Sequence, residues 1–200
     1  MAVAVTALAV FAALTVAVTS KPSLAFDAST FETAGDLRAP WLTTAARIVT
    51  TLGLIVIVGA AVFLAAVLLY RRGHALRAAA LALGATVAWV SVWITKWAVD
   101  RPRPPGPLVH TSGQSFPSGH AANSIGWLAL AIALGLVIPN RVARIAAVAA
   151  GALLAVLVGL SRIYLRAHYA SDVLAGEALA IAMYTLATIG VVTWQARREW

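Results

Sequence analysis

Residues 76–104 read LRAAALALGATVAWVSVWITKWAVDRPRP, and this stretch decides what kind of fold the chain has. From Ala78 to Thr95 there is no charged residue. Then Lys96, Asp100, Arg101 and Arg103 arrive together, among prolines that a helix interior does not tolerate. An apolar run of about 20 residues matches the hydrocarbon thickness of a bilayer. The stretch reads as a membrane crossing that ends in a cluster of charge.

The rest of the chain agrees. Of its 200 residues 62% are hydrophobic and 11% charged, with a mean hydropathy of +0.89. A soluble domain carries about 25% charged residues. Apolar runs fall at roughly 2–19, 49–70, 76–98, 119–138, 142–160 and 173–194. They predict an all-α polytopic bundle of about six transmembrane helices in a single integral-membrane domain over residues 1–200. The first run has no basic region ahead of it and is read as a span rather than a signal peptide. There is no cysteine, which excludes disulfides and cysteine-ligated metals. The net charge of +8 is scattered in short clusters between the runs. That pattern points to membrane topology and an anionic ligand, not to nucleic acid. Thirteen arginines against two lysines, with abundant alanine, suggest a high-GC bacterial source.

Alternating crossings sort the basic residues onto two sides. One side receives Arg71, Arg72, Arg77, Arg141, Arg144, Arg197 and Arg198, offset only by Glu199. The other receives Lys21, Arg38, Arg47, Lys96, Arg101, Arg103, Arg162 and Arg166. Counting alone does not choose between seven and eight. The first side has short, plainly basic loops. On the second the cations mix with Asp27, Glu32, Asp36, Asp100 and Asp172 in motif-like strings. This places the first side and both termini in the cytoplasm, and the second facing the periplasm or exterior of a bacterial inner membrane. The outer loop 20–48 carries Phe26, Phe31, Trp41 and a break at Pro40, so one or two short interfacial helices are expected there. Trp89, Trp93 and Trp97 recur every four residues and read as a packing and aromatic-belt stripe on the third span.

Three outer-side strings hold the remaining chemistry. In KWAVDRPRP, Lys96 ends a span and Arg103 follows seven residues on. In FPSGHAANS, Pro117 fits a first helical turn and Ser118–Gly119 a helix start. Such an end offers free N–H groups and a positive dipole to an anion, with His120 just inside it. In SRIYLRAHYASD, His168 and Asp172 stand four apart, so on a helix they share a face. A carboxylate on one imidazole nitrogen makes the other a better nucleophile or base. On one continuous helix Arg162 would lie off that face, so a bend is expected between Arg162 and His168. Singly, each string could be an anchor, a capped helix or an interfacial pair. Together they assemble cations, an N–H nest and two histidines, which is what phosphoryl transfer needs. One histidine can attack phosphorus and the other can protonate the leaving oxygen. Too few carboxylates cluster to hold a Mg²⁺.

These strings resemble a known family. Lys96-x6-Arg103-Pro104, Pro117-Ser118-Gly119-His120 and Ser161-Arg162-x5-His168-x3-Asp172 are similar to the three signature motifs of the type 2 phosphatidic acid phosphatase (PAP2) superfamily, in order and at the family's spacing. The resemblance implies a phosphohistidine intermediate on His168, oriented by Asp172, with His120 as general acid. It implies Lys96, Arg103, Arg162, Ser118 and the Gly119 N–H as phosphate ligands. It also implies a metal-independent reaction with no cofactor, in which vanadate or tungstate mimics the phosphoryl group. Arg101-Pro102 duplicates the Arg-Pro pair, but only Arg103 has the family spacing.

The expected activity is hydrolysis of a membrane lipid phosphate at the outer face: phosphatidic acid, phosphatidylglycerophosphate or undecaprenyl diphosphate. A lipid phosphotransferase using the same intermediate is the alternative, and a phosphate-binding membrane protein without catalysis is a third. Outside the motifs, His74 and His110 read as loop residues and Arg166 as an interface contact. Glu177 reads as a carboxyl packed within the bundle, and Asn123 as a residue that orients His120.

Overall fold

In lipid every backbone polar group must be satisfied within its own segment, so apolar runs fold as helices. The computed structural model describes residues 1–21 and 24–198; Pro22, Ser23 and Glu199, which entered the loop and charge readings, lie outside them. The helices are α1 (Ala2–Ser20), α2 (Ala25–Asp36), α3 (Pro40–Thr51), α4 (Ile55–Arg71), α5 (Ala75–Val99), α6 (Gly119–Gly135), α7 (Arg141–Tyr164) and α8 (Ala170–Ala196). The 20–48 segment contains α2 and most of α3. α8 is the central staff and touches α1, α2, α5, α6 and α7. α1 lies along it, with Phe11 stacked on Phe116 at 6.2 Å between ring centroids.

Side-chain size is inverted relative to a soluble protein. Of the thirty buried hydrophobic residues among those described, eighteen are alanine. Large apolar residues such as Val56, Phe63, Ile94 and Val142 face outward. Lipid is as apolar as leucine, so helices associate through close van der Waals approach of small residues. Trp89, Trp93 and Trp97 belong to this outer surface. They are 45%, 58% and 82% exposed, so the stripe faces lipid and does not pack the core as the spacing suggested.

Four helices among the described residues, α1, α5, α7 and α8, are long and apolar enough to cross a membrane; the pair α3–α4 makes a fifth crossing if taken as one. α6 has 17 residues, about 26 Å at 1.5 Å per residue, and stops at Gly135 short of the expected 138. The expected six is therefore approximate. The run 49–70 is not one straight span either: α3 and α4 meet at 45° across Leu52–Leu54. The break is closely packed. A Cβ on Gly53 would stand 2.7 Å from Val158 Cγ1 and 2.9 Å from the His120 carbonyl. The bend is held by α6: Asn123 Nδ2 donates to the Gly53 carbonyl at 3.2 Å and Trp127 Nε1 to that of Leu52 at 2.8 Å. Asn123 thus fastens the bend, and among the described residues it has no hydrogen bond to His120.

α8 meets the start of α6 even more closely. A Cβ on Gly176 would lie 2.4 Å from the Ser118 carbonyl oxygen, a backbone atom that cannot turn away. Gly176→Ala is expected to lower stability by about 1–3 kcal/mol and to reduce activity with it. Gly190→Ala, with nothing within 4 Å, should leave both unchanged. Thermal melting in detergent beside a turnover assay checks this; equal melting temperatures for the two variants would contradict it.

Candidate active site

The C-terminal ends of α5 and α7 and the N-terminal ends of α6 and α8 meet at one end of the bundle, roofed by the 100–118 segment. Each end contributes a polar group. Lys96, in the last turn of α5, donates from Nζ to the Gln114 carbonyl at 2.6 Å. Arg103 holds the roof through the Ser112 and Gly113 carbonyls, at 2.8 and 2.9 Å, and reaches the Ala167 carbonyl at 2.8 Å. Arg162, buried at the end of α7, donates from Nη1 to Thr50 Oγ1 of α3 at 2.8 Å, while its Nε has no hydrogen-bond partner among the described residues.

The expected bend follows Arg162. α7 ends at Tyr164, and Arg166 takes the left-handed conformation at φ 51°, which is costly for a residue with a Cβ. The reversal returns the Ala167 and His168 N–H groups to one acceptor, the Arg162 carbonyl, at 3.0 and 3.3 Å. The Arg166 guanidinium sits 5.1 Å from the Phe31 ring centre. His168 therefore lies in the loop before α8, not on a helix face with Asp172 as the spacing implied. The pair forms across a helix cap. Asp172 is the third residue of α8 and accepts the Tyr169 N–H at 3.0 Å, which closes a capping box.

That cap holds the Asp172 carboxylate in place. Oδ2 also accepts the Ser115 hydroxyl and lies 3.5 Å from His168 Nδ1, while Oδ1 accepts Arg101 Nη1 at 2.6 Å. With Nδ1–H turned toward Asp172, the Nε2 lone pair faces Arg103 Nη1 at 3.1 Å. Burial pushes the His168 imidazole down to about 4, against the opposing pull of Asp172. The ring is thus neutral at neutral pH, with the Nε2 lone pair accepting from Arg103.

His120 is the second residue of α6, within electrostatic reach of Arg162, His168, Arg103 and Lys96. Ser118 is the N-cap, and its Oγ accepts the Ala121 N–H at 3.4 Å. Pro117 precedes the cap and does not occupy the first turn. The Ser118 N–H is spent on the Asp172 carbonyl at 2.8 Å, which ties α6 to α8. The Gly119 and His120 N–H groups have no acceptor among the described residues, as a helix start dictates. The unpaired N–H groups of this helix start therefore begin at Gly119, while Ser118 has only its hydroxyl to offer.

Lys96, Arg103, Ser118, Gly119, His120, Arg162, His168 and Asp172 thus lie at one end of the bundle. Sequence reasoning did not find Ser115, Ser171, Asp27 or the role of Arg101. Arg101 is 4% exposed and pairs with Asp27 Oδ2 at 2.9 Å as well as Asp172, with its guanidinium 4.1 Å over the Tyr169 ring. Asp27, on α2, also accepts the Ser171 N–H and hydroxyl at 2.9 and 2.8 Å. No spacing rule links residue 27 to residue 171. The one signal is an acidic residue among apolar ones at a helix start. Glu177 leans against α7, where a Cβ on Gly159 would meet its Oε1 at 2.6 Å. Among the described residues no group of three or more His, Cys, Asp or Glu is placed to hold a metal ion.

The chain resembles known proteins. The model of the PAP2 superfamily matches residues 75–196. Phosphatidylglycerophosphatase B of Bacillus subtilis (strain 168) is 34% identical over 161 residues, 75% of each chain. The crystal structure of a transmembrane PAP2 type phosphatidylglycerolphosphate phosphatase from Bacillus subtilis matches at a TM-score of 0.80 over 98% of both chains, with 28% identity. Aquifex aeolicus LpxE matches at 0.65 over 82% of this chain and 96% of its own; at 24% identity this is a likeness of fold alone.

Proposed function

Because the chain belongs to the PAP2 superfamily and is similar to a phosphatidylglycerophosphatase, we propose that it is a metal-independent lipid phosphate phosphatase that works through a phosphohistidine on His168. The observation that carries the mechanism is the unlike partnering of the two His168 nitrogens. Asp172 takes the Nδ1 side, and Nε2 keeps its lone pair beside Arg103. Nε2 attacks phosphorus, and the bond to the leaving oxygen breaks as His120 gives that oxygen a proton. His120 then takes a proton from water as the water attacks the phosphohistidine. The P–N bond breaks and phosphate leaves. Lys96, Arg103, Arg162, the Ser118 hydroxyl and the Gly119 N–H hold the phosphoryl oxygens as charge shifts among them.

Phosphatidylglycerophosphate is the first substrate to try, since similar proteins are named for it. A lipid also suits the surroundings. An apolar groove of about 530 Å³ opens between α2, α3 and α7, with Leu42, Ala46, Val49, Leu157 and Leu160 in its walls. Two of its wall residues, Val49 and Ser161, directly precede Thr50 and Arg162 in the chain. Purified protein in EDTA should release phosphate from phosphatidylglycerophosphate faster than from phosphatidic acid or undecaprenyl diphosphate. No release from any of them, or release abolished by EDTA, would overturn the reading. Leu160→Trp, at a position 56% exposed, should raise KM for a long-chain lipid about fivefold to tenfold, near 1 kcal/mol of lost tail contact. It should leave a water-soluble phosphate ester unaffected. Equal effects on both would remove the groove from the substrate path.

We further propose that the site faces the periplasm, with both termini in the cytoplasm. The support is the clustering of Arg71, Arg72, Arg77, Arg141 and Arg144 around the two links at the other end of the bundle. Ser112→Cys and Arg72→Cys test it; the neighbouring Gly113 and Gly73 have φ +66° and +81° and are poor sites for a side chain. A membrane-impermeant thiol reagent should label Ser112→Cys in intact cells and leave Arg72→Cys unlabelled. The reverse pattern would invert the topology.

A further inference from the structure

Two carboxylates share one guanidinium behind His168. Asp27 of α2 and Asp172 of α8 each accept a hydrogen bond from Arg101, at 2.9 and 2.6 Å. The three residues are 1%, 0% and 4% exposed for Asp27, Asp172 and Arg101, so water does not screen them. An Arg101–Asp172 pair alone would be neutral. With Asp27 added, the triad keeps one negative charge. Asp27 lies outside the segment that matches the family, 75–196, and touches none of the phosphate-facing groups.

We infer that Asp27 is a positioning residue for phosphoryl transfer: it shares Arg101 so that Asp172 is held rigidly without being neutralised. This rests on His168 being the nucleophile. When Nε2 bonds to phosphorus the imidazole ring becomes cationic, and Asp172 receives that charge through Nδ1–H. An Asp172 cancelled by Arg101 would do this poorly. Arg101 is needed all the same, because together with Ser115 and the Tyr169 N–H it fixes where the carboxylate points. A third charge reconciles the two demands. The plainer alternative is that Asp27 only fastens α2 to the start of α8 through Ser171.

Charge and fastening can be separated. The charged and titratable groups around His168 are Asp172 of α8, Tyr169 before it, Arg101 and Arg103 of the roof, Arg162 of α7, Lys96 of α5, His120 of α6 and Asp27 of α2. Asp27→Asn makes the Arg101–Asp172 unit neutral. Arg101→Gln leaves two negative charges. The double variant returns to one. The full-length chain and the three variants would be compared in detergent, with kcat and KM measured on phosphatidylglycerophosphate. The His168 titration would be followed by nitrogen-15 imidazole resonances, assigned by their loss in His168→Ala.

Less negative charge destabilises the imidazolium, so Asp27→Asn should move the His168 midpoint down by about one pH unit and lower kcat about tenfold, with KM within about twofold. Arg101→Gln should move the midpoint up, and the double variant should bring it back to the wild-type position. Midpoints unmoved in the single variants, or left shifted in the double, would overturn the inference in favour of fastening. If one single variant does not fold, the other and the double still decide it by the sign of the shift. Full activity of His168→Ala would defeat the reading of the site itself. A His168-dependent enzyme indifferent to Asp27 would defeat only this inference.

Discussion

Replacing His168 by alanine is expected to lower kcat by about 10⁴-fold or more, the scale of losing a nucleophile rather than an orienting group. The ring is buried, with the Ala167 and His168 N–H groups returned to the Arg162 carbonyl, so the variant's melting should be checked first. Wild-type enzyme quenched during turnover of labelled substrate should carry phosphate on histidine, and the variant should carry none. The nucleophile's own pH dependence has a definite sign. In the proposed mechanism the attacking form is the neutral imidazole, which burial favours by pushing the ring down to about 4. Acid therefore removes the nucleophile only as pH falls through that value. At neutral pH nearly all His168 is ready to attack. Phosphoenzyme in His168→Ala, or turnover within tenfold of wild type, would assign the attack elsewhere.

The second large effect belongs to His120 and depends on the leaving group. General acid catalysis contributes about 10²- to 10⁴-fold, so His120→Ala should lose that much on a lipid phosphate, whose alkoxide leaves badly without a proton. On a nitrophenyl ester, whose leaving group needs no proton, the loss should be far smaller. A ring that merely bound phosphate would lose the same factor on both. Comparing kcat/KM for the two esters distinguishes the roles, and an equal loss would remove His120 as the acid.

Much of this site was legible in three short strings, because phosphate chemistry demands scarce residue types where the rest of the chain is apolar. Lys96, Arg103, His120, Arg162 and His168 stood out against long hydrophobic runs. The geometry between them was less legible. His168 and Asp172 suggested a helix face, yet they meet across an N-cap, because Arg166 reverses the chain in a conformation that sequence rarely signals. Arg101 and Arg103 sit in the same Arg-Pro context with opposite fates. One is buried against two carboxylates, and the other lies against the His168 ring. Asp27 and Ser115 reach the site through tertiary contacts that no local period encodes. The bend at Gly53 was hidden for a related reason: hydropathy records whether a stretch can sit in lipid, not whether it runs straight.

The alanine-rich interior has an evolutionary consequence. An alanine side chain has a single methyl to lose and no space in which to grow. Shrinking mutations inside this bundle therefore remove little, while enlarging ones push helices apart. Tolerance at its buried positions should be lopsided, with glycine and serine accepted and valine or leucine rejected. The lipid-facing positions should exchange freely among large apolar types. Divergence in such a protein proceeds from the outside in, and an interior site that gains bulk needs a helix neighbour that has already lost it.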